Sequence, residues 1–99
     1  MSWNNRTRYS FTAKSVVVHA PMESGVYAIH NGSTWIYIGE TGDILAQLVQ
    51  HLNGDNTCIA VYPNLTFSYE LLPELTRVWR LEELVREFRP ICNTRLGSG

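Results

Sequence analysis

A chain of 99 residues is long enough for one hydrophobic core and little more, so we expect a single domain. With 44% apolar and 17% charged residues, the composition is that of an ordinary globular protein and excludes a disordered or fibrous chain. No segment approaches the ~18 to 20 apolar residues of a membrane helix. Because the polar start also lacks the apolar core of a signal peptide, the sequence predicts a cytoplasmic protein without a membrane span.

The net charge of -1 conceals an uneven distribution of charge along the chain. All 8 Lys and Arg residues lie at or before Lys14 or at or after Arg77. The intervening residues 15–76 contain no base and six acids, namely Glu23, Glu40, Asp43, Asp55, Glu70 and Glu74. Such a segment would repel a phosphate backbone, so the distribution disfavours nucleic acid as a partner.

Residues 1–14 are rich in Ser, Thr, Asn and Arg, and we expect a flexible or docked N-terminal arm. A single domain over residues 15–95 follows, beginning with a short apolar element that Pro21 ends, and residues 96–99 are expected to be a C-terminal tail. Cys58 and Cys92 are 34 positions apart and lack CxxC spacing. In a reducing compartment they are expected to be two buried small hydrophobic residues rather than a disulfide or a metal pair.

Two runs of β-branched and aromatic residues, Val26–His30 and Thr34–Ile38, flank Asn31-Gly32-Ser33 and predict a β-hairpin. A two-residue Asn31-Gly32 turn would place Tyr27 and Tyr37 on opposite faces of the hairpin. We therefore predict a three-residue loop, which pairs His30 with Thr34 and sets Tyr27 opposite Tyr37 on one face.

The rest of the chain predicts two helices and one more strand. Asp43 can cap a helix with apolar residues at helical spacing, and Gly54 suits its C-terminal end. Residues 66–72 alternate between apolar and polar and predict a strand. Pro73 begins a second amphipathic helix, which Pro90 ends. Its apolar stripe consists of Val78, Leu81, Val85 and Phe88. The order β-β-α-β-α predicts an α/β (α+β) domain, a small three-stranded antiparallel sheet flanked by helices.

Gly25-Val26-Tyr27 on the first strand and Tyr37-Ile38-Gly39 on the second resemble the two motifs of the GIY-YIG nuclease superfamily. Their tyrosines are ten residues apart. Further positions are similar to the family pattern, namely Thr41, Asp43, His51, Leu84, Val85, Phe88, Pro90 and Asn93. The resemblance covers residues 25–95.

The resemblance implies a nuclease that cleaves phosphodiesters with one divalent metal ion such as Mg²⁺. It implies that Tyr27 and Tyr37 orient or activate water, and that His51 and Asn93 belong to the same site. The neighbouring residues that would contribute to binding are Gly39, Glu40 and Thr41.

Two positions depart from the family pattern. The family's arginine belongs ten residues after Tyr37, where this chain has Gln47. The metal-binding glutamate belongs twelve residues before Asn93, where the chain has Leu81. Glutamine carries no charge and leucine cannot coordinate a cation, so we assign no metal ligand and expect no cofactor.

Two hypotheses of different classes follow, and a third is weaker. The first is a binding or interaction domain of GIY-YIG type, catalytically inactive or impaired, whose ligand is a protein or a small molecule. The second is a metal-dependent DNA endonuclease that uses Mg²⁺ on relocated ligands, for which Glu40, Asp43 and Glu82 are the candidates. Glu82 points about 100° away from Leu81 on a helix, which argues against a simple replacement. The third is a nucleic-acid binder that uses only the terminal arginines.

Overall fold

The structure is a computed structural model that describes residues 3–94, so the predicted tail and residue 95 lie outside the described residues. The strands are β1 (Tyr9–Ser10), β2 (Gly25–Asn31), β3 (Thr34–Thr41) and β4 (Thr66–Leu71). The helices are α1 (Ala13–His19), α2 (Ile44–Leu52), α3 (Thr57–Ala60), α4 (Glu74–Phe88) and α5 (Ile91–Thr94). The strands form one antiparallel sheet in the order β1-β4-β2-β3. No helix within residues 3–94 is long and apolar enough to cross a membrane.

The sheet has four strands, so the prediction of three was wrong. The additional strand comes from the N-terminal arm, where Tyr9 pairs with Phe67 and Ser10 with Thr66. The Tyr9 ring also stacks on His19, with ring centroids 4.2 Å apart. Two residues are too few to show an alternating pattern, so aromatic packing at long sequence range decides this strand.

The hairpin between β2 and β3 turns at Gly32 and Ser33, with Asn31 opposite Thr34. Gly32 has φ +59°, the sign that a type II′ turn requires at its first central residue. The predicted three-residue loop was therefore wrong, and His30 pairs with Trp35 rather than with Thr34.

A β-bulge in β3 then decides which way the aromatic side chains point. Pairing passes from His30 opposite Trp35 to Ile29 opposite Tyr37, so one residue of β3 has no partner. Without the bulge, Trp35 and Tyr37 would share a face, because side chains alternate along a strand. Tyr27 does lie on the same face as Tyr37, but it is opposite Gly39 rather than directly opposite Tyr37.

The sheet separates two apolar clusters. The larger one lies under α1 and α2 and includes Val16, Tyr27, Leu48 and Phe67. The smaller one lies under α4 and contains Val26, Ala28, Ile38 and Leu84, against which Trp3, Trp35, Leu72, Leu81, Val85 and Phe88 pack. The predicted stripe of α4 is rotated slightly, since Leu84 is fully buried and Val78 is 47% exposed.

Cys58 and Cys92 form a disulfide that joins α3 to α5, so the prediction of two unlinked cysteines was wrong. The fold brings their Cα atoms to 5.7 Å, within the range that a disulfide spans. A separation of 34 residues gives no local signal for this pairing, because it depends on how α3 and α5 pack.

His30 is a buried histidine that makes stability depend on pH. Its ring centroid lies 4.4 Å from that of Trp35, and its Nε2 is 3.0 Å from Ser68 Oγ. Burial, with a smaller contribution from Arg8, lowers the pKa of His30 to about 4. The unfolded chain takes up this proton near pH 6.5 and the folded chain does not. The free energy of unfolding should therefore fall by ~3 kcal/mol as the pH drops from about 6.5 to about 4.

Urea unfolding at several pH values across this window tests the expectation, with His30→Gln as the matched variant. His19 and His51 are present in both proteins, so the difference between the two curves isolates His30. The variant should lose less stability on acidification than the parent; parallel curves would contradict the assignment.

Candidate functional site

The site is a cluster of two tyrosines, a histidine and a carboxylate on the α2 side of the sheet. His51 Nε2 lies 2.7 Å from the Tyr27 hydroxyl, and His51 Nδ1 lies 2.8 Å from Asp55 Oδ1. The Asp55 carboxylate can only accept, so Nδ1 carries the proton of the neutral ring. Nε2 then accepts from the Tyr27 hydroxyl, and the three side chains form one directed chain of hydrogen bonds.

Tyr37 completes the cluster, with its ring centroid 6.1 Å from that of Tyr27 and 5.4 Å from that of His51. Burial raises the pKa of both tyrosines above the usual value, and for Tyr27 the interactions with Tyr37 and Asp55 raise it further. Both hydroxyls are therefore neutral at pH 7, and they can donate hydrogen bonds but do not act as strong bases.

Local sequence explains how His51 reaches this position. The Thr41 hydroxyl accepts a hydrogen bond from Asp43 N–H at 3.1 Å, and the Asp43 carboxylate accepts from Ala46 N–H at 3.0 Å. This cap begins α2, as predicted. After the end of α2 the chain turns at Gly54, whose φ of +84° is a left-handed conformation that glycine adopts readily. This turn is followed by Asp55, whose side chain contacts His51. Thr41 and Asp43 thus act in the turn that aims α2.

Gly39 is needed because the Tyr27 ring lies directly across it. A Cβ at residue 39 would lie 2.5 Å from the Tyr27 hydroxyl oxygen. Since Tyr27 is only 2% exposed, its ring has little room to move away. The glycine of the second motif therefore holds the tyrosine of the first in place by close approach.

Asn93 binds the backbone of β3 next to the cluster. Its Oδ1 accepts from Ile38 N–H at 2.8 Å, and its Nδ2 donates to Ile38 C=O at 2.9 Å. Because β3 lies at the edge of the sheet, the side-chain amide takes the place of a neighbouring strand. Asn93 thereby fixes the segment between Tyr37 and Gly39 and acts as a positioning residue.

The two positions that depart from the family pattern make other contacts. Gln47 lies one turn before His51, and its side-chain amide donates to Gln50 Oε1 at 3.4 Å. Leu81 packs partly buried against the smaller apolar cluster, on the α4 side of the sheet. Tyr27 belongs to the larger cluster on the opposite side.

Arginines of α4 neutralise part of the acidic middle of the chain. Arg77 Nε donates to Glu40 Oε1 at 2.6 Å and Arg77 Nη1 donates to Ser24 Oγ at 2.9 Å. Arg80 binds Glu70 through two nitrogens, at 2.9 and 3.0 Å. The sequence did not single out Arg77 or Asp55 as site residues. For Asp55 a signal was available, since it follows His51 by four residues.

The described side chains do not offer a ligand set that fits a divalent metal ion. Within residues 3–94, no group of three His, Cys, Asp or Glu side chains could hold one. Glu40 is engaged with Arg77, Asp43 caps α2, and Glu82 is exposed on α4. A hard cation requires several oxygen ligands, so the Mg²⁺ that the resemblance implies has no ligand set among the described residues.

This combination of a small antiparallel sheet, flanking helices and paired tyrosines is the GIY-YIG fold. The chain is similar to the GIY-YIG N-terminal endonuclease domain of UvrC from Thermotoga maritima. With that domain bound to magnesium as its catalytic divalent cation, the TM-score is 0.65 at 24% identity, over 79% of this chain and 91% of that chain.

Two point mutants of the same domain give similar values, and both are described as bound to the catalytic divalent cation. A tyrosine-to-phenylalanine mutant matches with TM-score 0.65 at 24% identity, over 79% of this chain and 90% of that chain. An asparagine-to-alanine mutant matches with TM-score 0.64 at 23% identity, over 77% of this chain and 88% of that chain. No protein-family model and no curated protein matches the chain. At this identity the likeness shows the fold alone.

Proposed function

We propose that the chain is a binding domain built on the GIY-YIG fold and that it does not hydrolyse phosphodiesters. The observation that carries this proposal is Leu81, which stands at the metal-binding position of the family pattern and packs against the smaller apolar cluster. A carboxylate in place of Leu81 would lie partly buried against apolar side chains, at a desolvation cost, and on the side of the sheet opposite to Tyr27. The ligand of this binding domain would be a protein or a small molecule.

Gln47 and the ion pair of Glu40 with Arg77 support the same proposal. Gln47 offers no positive charge to a developing phosphorane, where a guanidinium group would be needed. Glu40 is the acid nearest in sequence to Tyr37, and Arg77 engages it at 2.6 Å. A metal ion at Glu40 would have to displace this guanidinium.

The alternative is a metal-dependent DNA endonuclease with relocated ligands. The retained Tyr27, Tyr37, His51 and Asn93 favour it, and so does the likeness to UvrC domains that hold a catalytic divalent cation. In that case Glu40 would exchange Arg77 for Mg²⁺. The six acids of residues 15–76 would repel DNA. Arg77 and Arg80 pair with two of these acids, so the repulsion is weaker than a count along the sequence implies.

Titration of the ¹⁵N-labelled protein with Mg²⁺ separates the two functions. We expect no saturable amide shifts at Tyr37, Gly39 or Glu40, because no oxygen ligand set is available there. Glu40→Gln serves as the matched variant. Saturable shifts in the parent that disappear in this variant would refute the binding-domain proposal and would identify Glu40 as a relocated ligand.

A further inference from the structure

The outward face of α4 carries large apolar side chains that residues 3–94 leave exposed. Leu84 points into the core and is fully buried. Leu75 and Trp79 lie about half a turn around the helix from it and are 85% and 77% exposed. The nearby Val78 is 47% exposed. An exposed tryptophan beside an exposed leucine, one turn apart, is typical of an interaction surface.

Charged side chains flank these apolar residues, and the exposed ones nearest to Leu75 and Trp79 are acidic. Glu74 precedes Leu75 on α4, and Glu82 follows Trp79 by three residues, which places it on the same face. Both are exposed. We call Leu75, Val78, Trp79 and the two glutamates the α4 patch.

A second uncovered surface lies on α1 and has the opposite charge. Val17 and Val18 are 65% and 66% exposed, and Lys14 stands one turn before Val18. Beside them is an open groove of about 420 Å³, lined by Ser10, Thr12, Lys14, Ser15, Val18 and His19. We call this groove, with Val17, the α1 patch.

We propose that the α4 patch of one copy of this chain docks on the α1 patch of a second copy. Trp79 would enter the groove beside Val18, where burial of both side chains favours association. The Lys14 ammonium would then meet the indole face and the Glu82 carboxylate of the other copy. Each patch is apolar with a charged margin: the α4 patch carries two carboxylates, with Arg86 one turn beyond Glu82, and the α1 patch carries the ammonium group of Lys14.

The two patches lie on opposite sides of the sheet, and this determines the form of the assembly. Val16 of α1 belongs to the larger apolar cluster, whereas Leu84 of α4 belongs to the smaller one. The contact is therefore head-to-tail, and an open oligomer has one free patch of each kind at its two ends. Longer assemblies should form as the concentration rises. This inference is independent of whether the tyrosine cluster is catalytic.

Sedimentation equilibrium of the full chain over a range of concentrations tests the proposal. The weight-average mass should rise above the 11.3 kDa of one chain as the concentration increases. Trp79→Ala should weaken association by roughly tenfold or more. Val61→Ala is the matched control, since Val61 is 74% exposed and lies outside both patches. Far-UV circular dichroism confirms that each variant is folded.

A charge exchange identifies the partner surface. Lys14→Glu alone and Glu82→Lys alone should each weaken association, because like charges would meet at the contact. An equimolar mixture of these two variants should restore it, because each variant then offers the charge that the other lacks. A mass of one chain at every concentration would overturn the proposal. So would association that Trp79→Ala abolishes and Lys14→Glu leaves unchanged, which would indicate pairing of α4 with α4.

Discussion

Reduction of the disulfide between Cys58 and Cys92 is expected to lower the free energy of unfolding by about 4 kcal/mol. The bond closes a loop of 34 residues, and removing that constraint gives the unfolded chain more conformational entropy. A small domain has only about 5 to 15 kcal/mol in total, so the loss is a large fraction. Urea unfolding with and without dithiothreitol measures it.

The reduced protein should also lose order at the site. Asn93 follows Cys92 directly and binds both backbone groups of Ile38. Once α5 is released, the amide proton of Ile38 should exchange faster with solvent. The control is the double variant Cys58→Ala, Cys92→Ala, whose stability should not respond to dithiothreitol. Equal unfolding curves for the oxidised and the reduced parent would contradict the role given to this bond.

Gly39→Ala is expected to cost about 3 kcal/mol of stability and to break the Tyr27–His51 hydrogen bond. The new methyl group would lie 2.5 Å from the Tyr27 hydroxyl oxygen, so the ring or the strand must shift. Tyr27 is 2% exposed, and its displacement disturbs the larger apolar cluster as well.

Gly42→Ala is the matched control for this substitution. A Cβ at residue 42 would meet only Arg77, at the ordinary contact distance of 3.9 Å. Urea unfolding should therefore separate the two variants clearly, and the His51 ring resonances should move only in Gly39→Ala. If both variants were equally stable, the close approach of Tyr27 to Gly39 would not be a real constraint.

The parts of the fold that were predicted from the sequence are those with local signals. Asp43 caps α2 and Gly54 follows its end, because helix caps depend on residues within one turn. The alternation over residues 66–72 identified β4, and Pro73 marked the start of α4. Periodicity carries this information because each element buries one face.

The features that the sequence did not reveal depend on contacts between distant residues. The pairing of Tyr9 with Phe67 adds the fourth strand, and Cys58 meets Cys92 only after α3 and α5 have packed. The β-bulge at the residue between Trp35 and Tyr37 goes with the packing of the two rings on opposite sides of the sheet, which involves residues far apart in the chain. A local sequence pattern does not show which distant residues come into contact.

The tyrosine cluster was predicted in part. The resemblance to the two motifs placed Tyr27, Tyr37 and His51 in one site. In the structure the three rings are in contact with one another. Asp55 was missed although it follows His51 by four residues, because it lies beyond the predicted end of α2 and was assigned to a loop. Arg77 was missed because its partner Glu40 is 37 residues away in the chain. Charge counted along the sequence does not show which charges meet.

We propose that this domain of GIY-YIG fold has no metal-dependent nuclease activity. Incubation of the purified chain with branched and single-stranded DNA in the presence of Mg²⁺ or Mn²⁺ tests it most directly. We predict no cleavage above that of a parallel preparation of the Tyr37→Phe variant. Cleavage by the parent that requires the metal ion and is lost in Tyr37→Phe would contradict the claim and would make the chain an endonuclease.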